Sequence, residues 1–154
     1  MTTNSKALIL YFSLTGNTAK AAKTVQALTG AAIEEIRPVK PYARDYAGAT
    51  ARGEKEKDGN IHPAMVPLKS DLSQYTTIYL GFPTWWAQPP MIIQTLADQA
   101  ALAGKVIVPF TTSGGSAIAD SEQALDVLAQ RSGATLQRGF TANSAAEIKQ
   151  FFAN

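Results

Sequence analysis

Few residues in this chain can do chemistry by themselves. There is no cysteine, and His62 is the only histidine. That removes thiol redox chemistry, disulfides and cysteine-ligated metal centres. His62 stands beside Pro63 in a loop-like stretch and reads as a surface residue. No general acid or base stands out, so no catalytic residue and no metal ligand is nominated. What the chain does offer is three stretches built from hydroxyls, glycine and tryptophan. They are Ser13-Leu14-Thr15-Gly16-Asn17-Thr18, then Pro83-Thr84-Trp85-Trp86-Ala87-Gln88, then Thr111-Thr112-Ser113-Gly114-Gly115-Ser116.

The first stretch joins an apolar run, Lys6 to Phe12, to an alanine-rich segment of helical character, Ala19 to Leu28. A buried strand that turns into a helix presents unpaired N–H groups and the positive end of the helix dipole, which suits a phosphate. Ser13, Thr15 and Thr18 add hydroxyl donors, Asn17 an amide, and Gly16 freedom to turn or approach an anion. The pattern is neither G-x-x-x-x-G-K-[ST] nor G-x-G-x-x-G. It leaves a neutral nest for one compact phosphate, such as that of a mononucleotide. The competing reading is that Ser, Thr and Asn merely cap the helix.

The elements around these stretches alternate. Ala31 to Ile36 reads as a second strand after Gly30 stops the first helix. Residues 37 to 70 are the least regular part, with Tyr42 to Lys57 a helix or a long ordered loop. Arg52 to Asp58 reads as a solvated face of mixed charge. Thr77 to Phe82 is a third strand, Pro89-Pro90 starts a helix, and Lys105 to Phe110 is a fourth strand. Ile118, Ala119, Leu125 and Leu128 give the next helix its inner face. Ala134 to Gln137 is a short fifth strand, and Ala145 to Phe152 a last helix with Ile148, Phe151 and Phe152 facing in. Continuously apolar strands separated by helices predict a doubly wound, five-stranded parallel α/β sheet with helices on both faces. In the order 2-1-3-4-5 the three unusual stretches leave neighbouring strands and form one rim, where such sheets bind ligands. A phosphate nest, an aromatic wall and a polar edge together suit a flat heteroaromatic ring with a phosphate tail. Two adjacent tryptophans in a loop are costly to expose, and at least one is expected to touch ligand.

Length allows one domain with a substantial core, residues 1–154, with residues 1–5 read as a flexible polar N-terminus. Apolar content of 45% and charged content of 17% are those of an ordinary globular chain. A net charge of +2, scattered along the chain, does not argue for nucleic acid. The longest apolar runs are strand length, too short to span a membrane, and no signal-peptide anatomy is present. A cytoplasmic location is the expectation.

The sequence resembles the flavodoxins, in particular flavodoxin-like proteins whose third-strand loop reads Pro-x-Trp-Trp. The likeness rests on Tyr11 to Thr18, Gly81 to Trp86, and Pro109 to Ser116, and spans nearly the whole chain. It implies non-covalently bound FMN and transfer of electrons to a redox partner protein or a small-molecule acceptor. By that likeness Ser13, Leu14, Thr15, Gly16, Asn17 and Thr18 hold the phosphate. Pro83, Thr84, Trp85, Trp86 and Ala87, with Thr112, Ser113, Gly114, Gly115 and Ser116, flank the isoalloxazine. Two departures stand out. Many electron-carrying flavodoxins are strongly acidic, and this chain is slightly basic. A glycine often follows the tryptophan pair in the relatives, where a peptide flip stabilises one-electron-reduced flavin. Here the residue is Ala87, at which positive φ costs more.

Other uses of the same fold give different expectations. A phosphate-accepting receiver needs acidic residues where this chain has Tyr11-Phe12-Ser13 and Gly81-Phe82-Pro83, so that class fails. An FMN-dependent NAD(P)H:quinone or nitro reductase is the main alternative. Tyr42, Tyr46 and the tryptophans would face its substrate, and residues 37–66 would form a lid. A scaffold that has lost its cofactor is disfavoured by the intact hydroxyl loop. In each flavin reading the cofactor does the electron chemistry and the chain orients and tunes it.

Overall fold

The computed structural model describes residues 6–86, 88–113 and 117–153. The expected N-terminal tail lies outside them. In chain order come β1 (Ala7–Tyr11), α1 (Asn17–Thr29), β2 (Ala32–Glu35), α2 (Tyr46–Asp58), β3 (Thr77–Pro83) and α3 (Met91–Gln99). Then follow β4 (Val106–Thr112), α4 (Glu122–Ser132), β5 (Thr135–Leu136), β6 (Phe140–Thr141) and α5 (Ala145–Ala153). The sheet runs β2-β1-β3-β4-β5, every pairing is parallel, and β6 continues beside β4. The predicted strand order is therefore the observed one.

Side chains alternate across each strand, and both faces of this sheet are apolar. Leu8, Leu10, Phe12, Ile78, Leu80 and Phe82 pack against Ile92, Ile93 and Leu96 of α3 and Leu125 and Leu128 of α4. Ala7, Ile9, Tyr79, Val108 and Phe110 face Ala21, Ala22 and Val25 of α1 and Ile148 of α5. Phe151 and Phe152 sit at the partly buried margin of that second cluster. Gly81 is glycine because of its neighbour: a Cβ there would lie 2.4 Å from the Phe110 ring.

The fifth strand differs from expectation. It is interrupted and lengthened, and the cause is Pro109. Val106 and Ile107 pair with Thr135 and Leu136, while Phe110 and Thr111 pair with Phe140 and Thr141. Two residues separate these pairs on β4 and three on the other strand, so one extra residue is accommodated as a bulge. Ile107 O accepts the Gln137 N–H at 2.9 Å, and Thr111 O accepts the Ala142 N–H at 2.7 Å. Pro109 lies between them on the same edge and has no N–H to give. The chain passes so close that a Cβ on Gly139 would lie 2.2 Å from Pro109 O.

Residues 46–58 are helical, which settles the irregular stretch. Asp45 caps this α2 helix by accepting the Gly48 N–H at 2.7 Å. The charged run is not simply a solvated face. Ala49, Gly53 and Glu56, spaced by four and three residues, form a buried stripe.

Candidate functional site at the carboxyl ends of β1, β3 and β4

The turn after β1 is shaped by Ser13 and Gly16. Gly16 is the N-cap of α1 at φ 100°, a left-handed conformation, with no side-chain cap. Its own N–H donates to Ser13 Oγ at 3.1 Å. Space is open where a Gly16 side chain would stand. Ser13 therefore organises the turn, and the capping explanation for Thr15 and Asn17 does not hold. Both are exposed and line a cavity at the strand ends. The first N–H groups of the helix have no carbonyl ahead of them to bind. Thr18 is buried, and its hydroxyl shares a 2.7 Å hydrogen bond with that of Thr112.

The loop after β3 is a tight turn. Trp85 and Gln88 exchange two backbone hydrogen bonds of 2.9 and 3.1 Å. Trp86, inside the turn, is held at φ 55°. Positive φ is uncommon for a bulky residue and stores strain. The two tryptophans have different surroundings. Trp85 lines the cavity, and its ring meets Phe12 and Tyr42 edge-on at centroid distances of 5.6 and 5.2 Å. Trp86 is 47% exposed and donates its indole N–H to Thr50 O of α2 at 3.3 Å.

Tyr42 does not face outward as a reductase pocket would require. It is buried, and its hydroxyl donates to Glu56. Burial, then the Glu56 hydrogen bond and charge, push its phenol well above the usual range, with Arg52 opposing. The Tyr46 side chain lies outside what the structure describes.

Beyond β4, Thr111 donates to Phe82 O at 3.0 Å, and Thr84 and Thr111 share a 2.5 Å hydroxyl contact. These bonds fix the strand ends to one another. Ser113 N donates to Asn143 Oδ1 at 2.7 Å, which brings in a fourth loop, between β6 and α5. Gly114, Gly115, Ser116 and Ala87, all predicted site residues, lie outside the described residues.

The cavity bounded by these loops has a volume of about 670 Å³. It gathers Leu14, Thr15, Asn17 and Thr18 from the first loop, Pro83, Thr84 and Trp85 from the second, and Thr112 and Ser113 from the third. It does not gather Ser13, Gly16 or Trp86. Sequence reasoning missed Asn143, Ser144 and Lys20, which also line it. Ser144 and Glu147 were legible as a helix start: Ser144 Oγ accepts the Glu147 N–H at 3.1 Å, and Glu147 accepts the Asn143 N–H at 2.9 Å. Lys20, one turn into α1, adds a cationic side chain to the lining of the cavity. Among the described residues no group of three or more His, Asp or Glu side chains can hold a metal ion. No described helix is long and apolar enough to cross a membrane.

A doubly wound parallel sheet with a cavity at its carboxyl edge, lined by hydroxyl-bearing side chains and Trp85, has the architecture of an α/β protein whose ligands bind at that edge. The chain belongs to the flavodoxin family, whose model matches residues 6–154. Among solved structures, a candidate flavoprotein from Bacteroides eggerthii is 33% identical over 97% of this chain and 97% of that one, with a TM-score of 0.85. Another from Bacteroides uniformis is 34% identical over 97% and 98%, with a TM-score of 0.81. A flavoprotein from Lactobacillus acidophilus, solved in complex with FMN, shares the fold at 22% identity over 96% and 99%, with a TM-score of 0.81. No curated protein matches the chain.

Proposed function

We propose that this protein binds FMN non-covalently in the cavity at the carboxyl ends of β1, β3 and β4, and carries electrons to a partner protein or small acceptor. The observation that carries the reading is the convergence of Thr15, Asn17, Trp85, Thr112 and Asn143 on one 670 Å³ cavity. The residues fit the group. Open space at Gly16, hydroxyl and amide donors and the start of α1 suit a single phosphate, and Lys20 supplies a counter-charge. Asn143 and Ser144 offer polar groups for a hydroxylated linker. Trp85 offers an aromatic face to a planar ring. The flavin supplies the electron chemistry; the chain binds, orients and shields it. Among the described residues that line the cavity there is no histidine and no carboxylate.

The reductase reading keeps two supports in the sequence, the alanine at position 87 after the tryptophan pair and the slightly basic charge balance. Extraction and chromatography of the bound flavin test the cofactor, with FMN expected and FAD, or no flavin binding on titration, refuting it. Photoreduction followed by absorbance, beside oxidation of NADH and NADPH with quinone acceptors, tests the role. A visible one-electron stage and negligible nicotinamide turnover support the carrier. Direct two-electron reduction with rapid turnover would establish the reductase.

A further inference from the structure

We propose that Glu56 and Arg52 of α2, acting through Tyr42, are positioning residues that hold Trp85 as the flavin-facing wall of the site. The inference rests on the FMN reading for its functional half and on geometry alone for the rest.

Trp85 stands in the turn after β3, closed by its two backbone hydrogen bonds with Gln88. Three contacts outside the loop fix its ring. It lies over Gly53, where an added Cβ would stand 3.0 Å from Trp85 Cε3. Its edges meet Phe12 and Tyr42. Tyr42, in turn, is held at both its face and its tip. The Arg52 guanidinium stands 3.8 Å above the ring centroid, and the hydroxyl donates to Glu56 Oε1. Arg52 Nε donates to Glu56 Oε2 at 2.8 Å, and Arg52 Nη1 donates to Lys40 O at 2.8 Å. Both carboxylate oxygens are thus used. Glu56 is the one buried carboxylate among the described residues.

A buried carboxylate is costly unless paired and hydrogen-bonded. An α2 helix serving only to cover the sheet would be better built with aliphatic residues on its stripe. Its inward stripe instead reads Ala49, Gly53 and Glu56. The small residues let the indole lie on the helix, and the carboxylate locks the neighbouring tyrosine. The same helix receives the Trp86 indole N–H at Thr50 O, so both tryptophans are tied to it. The charges also matter. Glu56 and Arg52 offset each other behind the ring wall, so the pair presents no net charge to the cavity.

The test uses a Trp86→Phe background, in which Trp85 is the only tryptophan. Steady-state anisotropy of Trp85 is read before and after flavin is added, with thermal melts to verify folding. Tyr42→Phe and Glu56→Gln should each lower the anisotropy of Trp85. They should also weaken FMN and riboflavin by the same factor, roughly three- to tenfold, as expected for a loosened aromatic contact. In the loaded protein, Glu56→Gln leaves the arginine unpaired and should raise the flavin midpoint potential. Arg52→Gln leaves the carboxylate unpaired and should lower it. Unchanged anisotropy and ring affinity in Tyr42→Phe would overturn the proposal. So would potentials that move in the same direction in the two charge variants, because generic loosening does not distinguish signs. If the unaltered protein binds neither FMN nor riboflavin, the cofactor reading fails, while the anisotropy arm still decides whether the cluster positions Trp85.

Discussion

Thr18 on α1 and Thr112 at the end of β4 join their hydroxyls at 2.7 Å in a buried contact. The bond ties the start of α1 to the end of β4, across the intervening strand β3. It also separates two threonines that look equivalent in sequence. Thr15 is exposed to the cavity, whereas Thr18 is part of its floor.

Thr15→Ala and Thr18→Ala are therefore expected to differ. A hydroxyl donated to a charged phosphate contributes about 1.5–3 kcal/mol, so Thr15→Ala should weaken FMN about ten- to a hundredfold. Riboflavin, which lacks the phosphate, should bind Thr15→Ala as before. Thr18→Ala leaves Thr112 without its partner and should weaken both ligands and lower the melting temperature. Parallel titrations with FMN and riboflavin check this. An equal loss of both ligands in Thr15→Ala would place that residue in the fold rather than at the phosphate.

Lys20 lines the cavity one turn beyond the nest, and α1 carries no acidic residue to pair with it. Lys20→Gln should weaken FMN several-fold at low ionic strength and have little effect at about 1 M salt, where charges are screened within about 3 Å. Riboflavin affinity should not change. Isothermal titration at two salt concentrations is sufficient, and a salt-independent loss would rule out the electrostatic role.

How far the fold was legible depends on the scale of the signal. Parallel strand order followed from alternating apolar runs and helices, because burial on both faces leaves a strong local imprint in residues such as Leu8, Ile9 and Leu10. The rim of three loops followed from the same order. Two features were not legible. The bulge at Gly139 arises from a missing N–H on Pro109, about thirty residues earlier, and no local pattern carries that pairing. The role of Glu56 was hidden because it sits in a run of alternating charge, and only the position of α2 against Tyr42 separates it from Glu54. Lys20 was missed for a similar reason: its helix was read as a strand-following helix, and the cavity's extent along α1 is a tertiary fact.

Only Trp85 of the tryptophan pair lines the cavity, so quenching should be unequal. FMN binding should strongly quench the emission of Trp86→Phe, in which Trp85 remains. It should affect Trp85→Phe far less, since Trp86 is directed to Thr50. Fluorescence titration of the two variants checks the assignment. Equal quenching in both would mean that the flavin reaches Trp86 as well, and that the turn rearranges on binding.

Acid should destabilise the protein in part through Glu34 and Asp98, two carboxylates remote from the cavity. Glu34 is pushed up by burial, but hydrogen bonds from Ser70 and from the Lys69 and Ser70 backbone outweigh this and hold it below the usual range. Asp98 is likewise pushed up by burial and brought lower overall by hydrogen bonds from His62 and Arg131 and by their charges. Both groups bind protons more weakly when folded than when unfolded. Their stabilisation is therefore complete above the unfolded values, about 4 for each, and is lost as pH falls through the lower folded values. The melting temperature should be nearly flat from pH 7 to about 5 and fall below about pH 4. Asp98→Asn should lower it at neutral pH, because Arg131 loses its anion, and should make the acid limb shallower; Glu34→Gln should do the same more weakly at neutral pH, since the hydrogen-bond partners of Glu34 are uncharged groups, the Ser70 hydroxyl and the Lys69 and Ser70 backbone N–H. Melts by circular dichroism from pH 2 to 7 decide it. An acid limb in both variants that superimposes on that of the unaltered protein would assign acid sensitivity to other carboxylates.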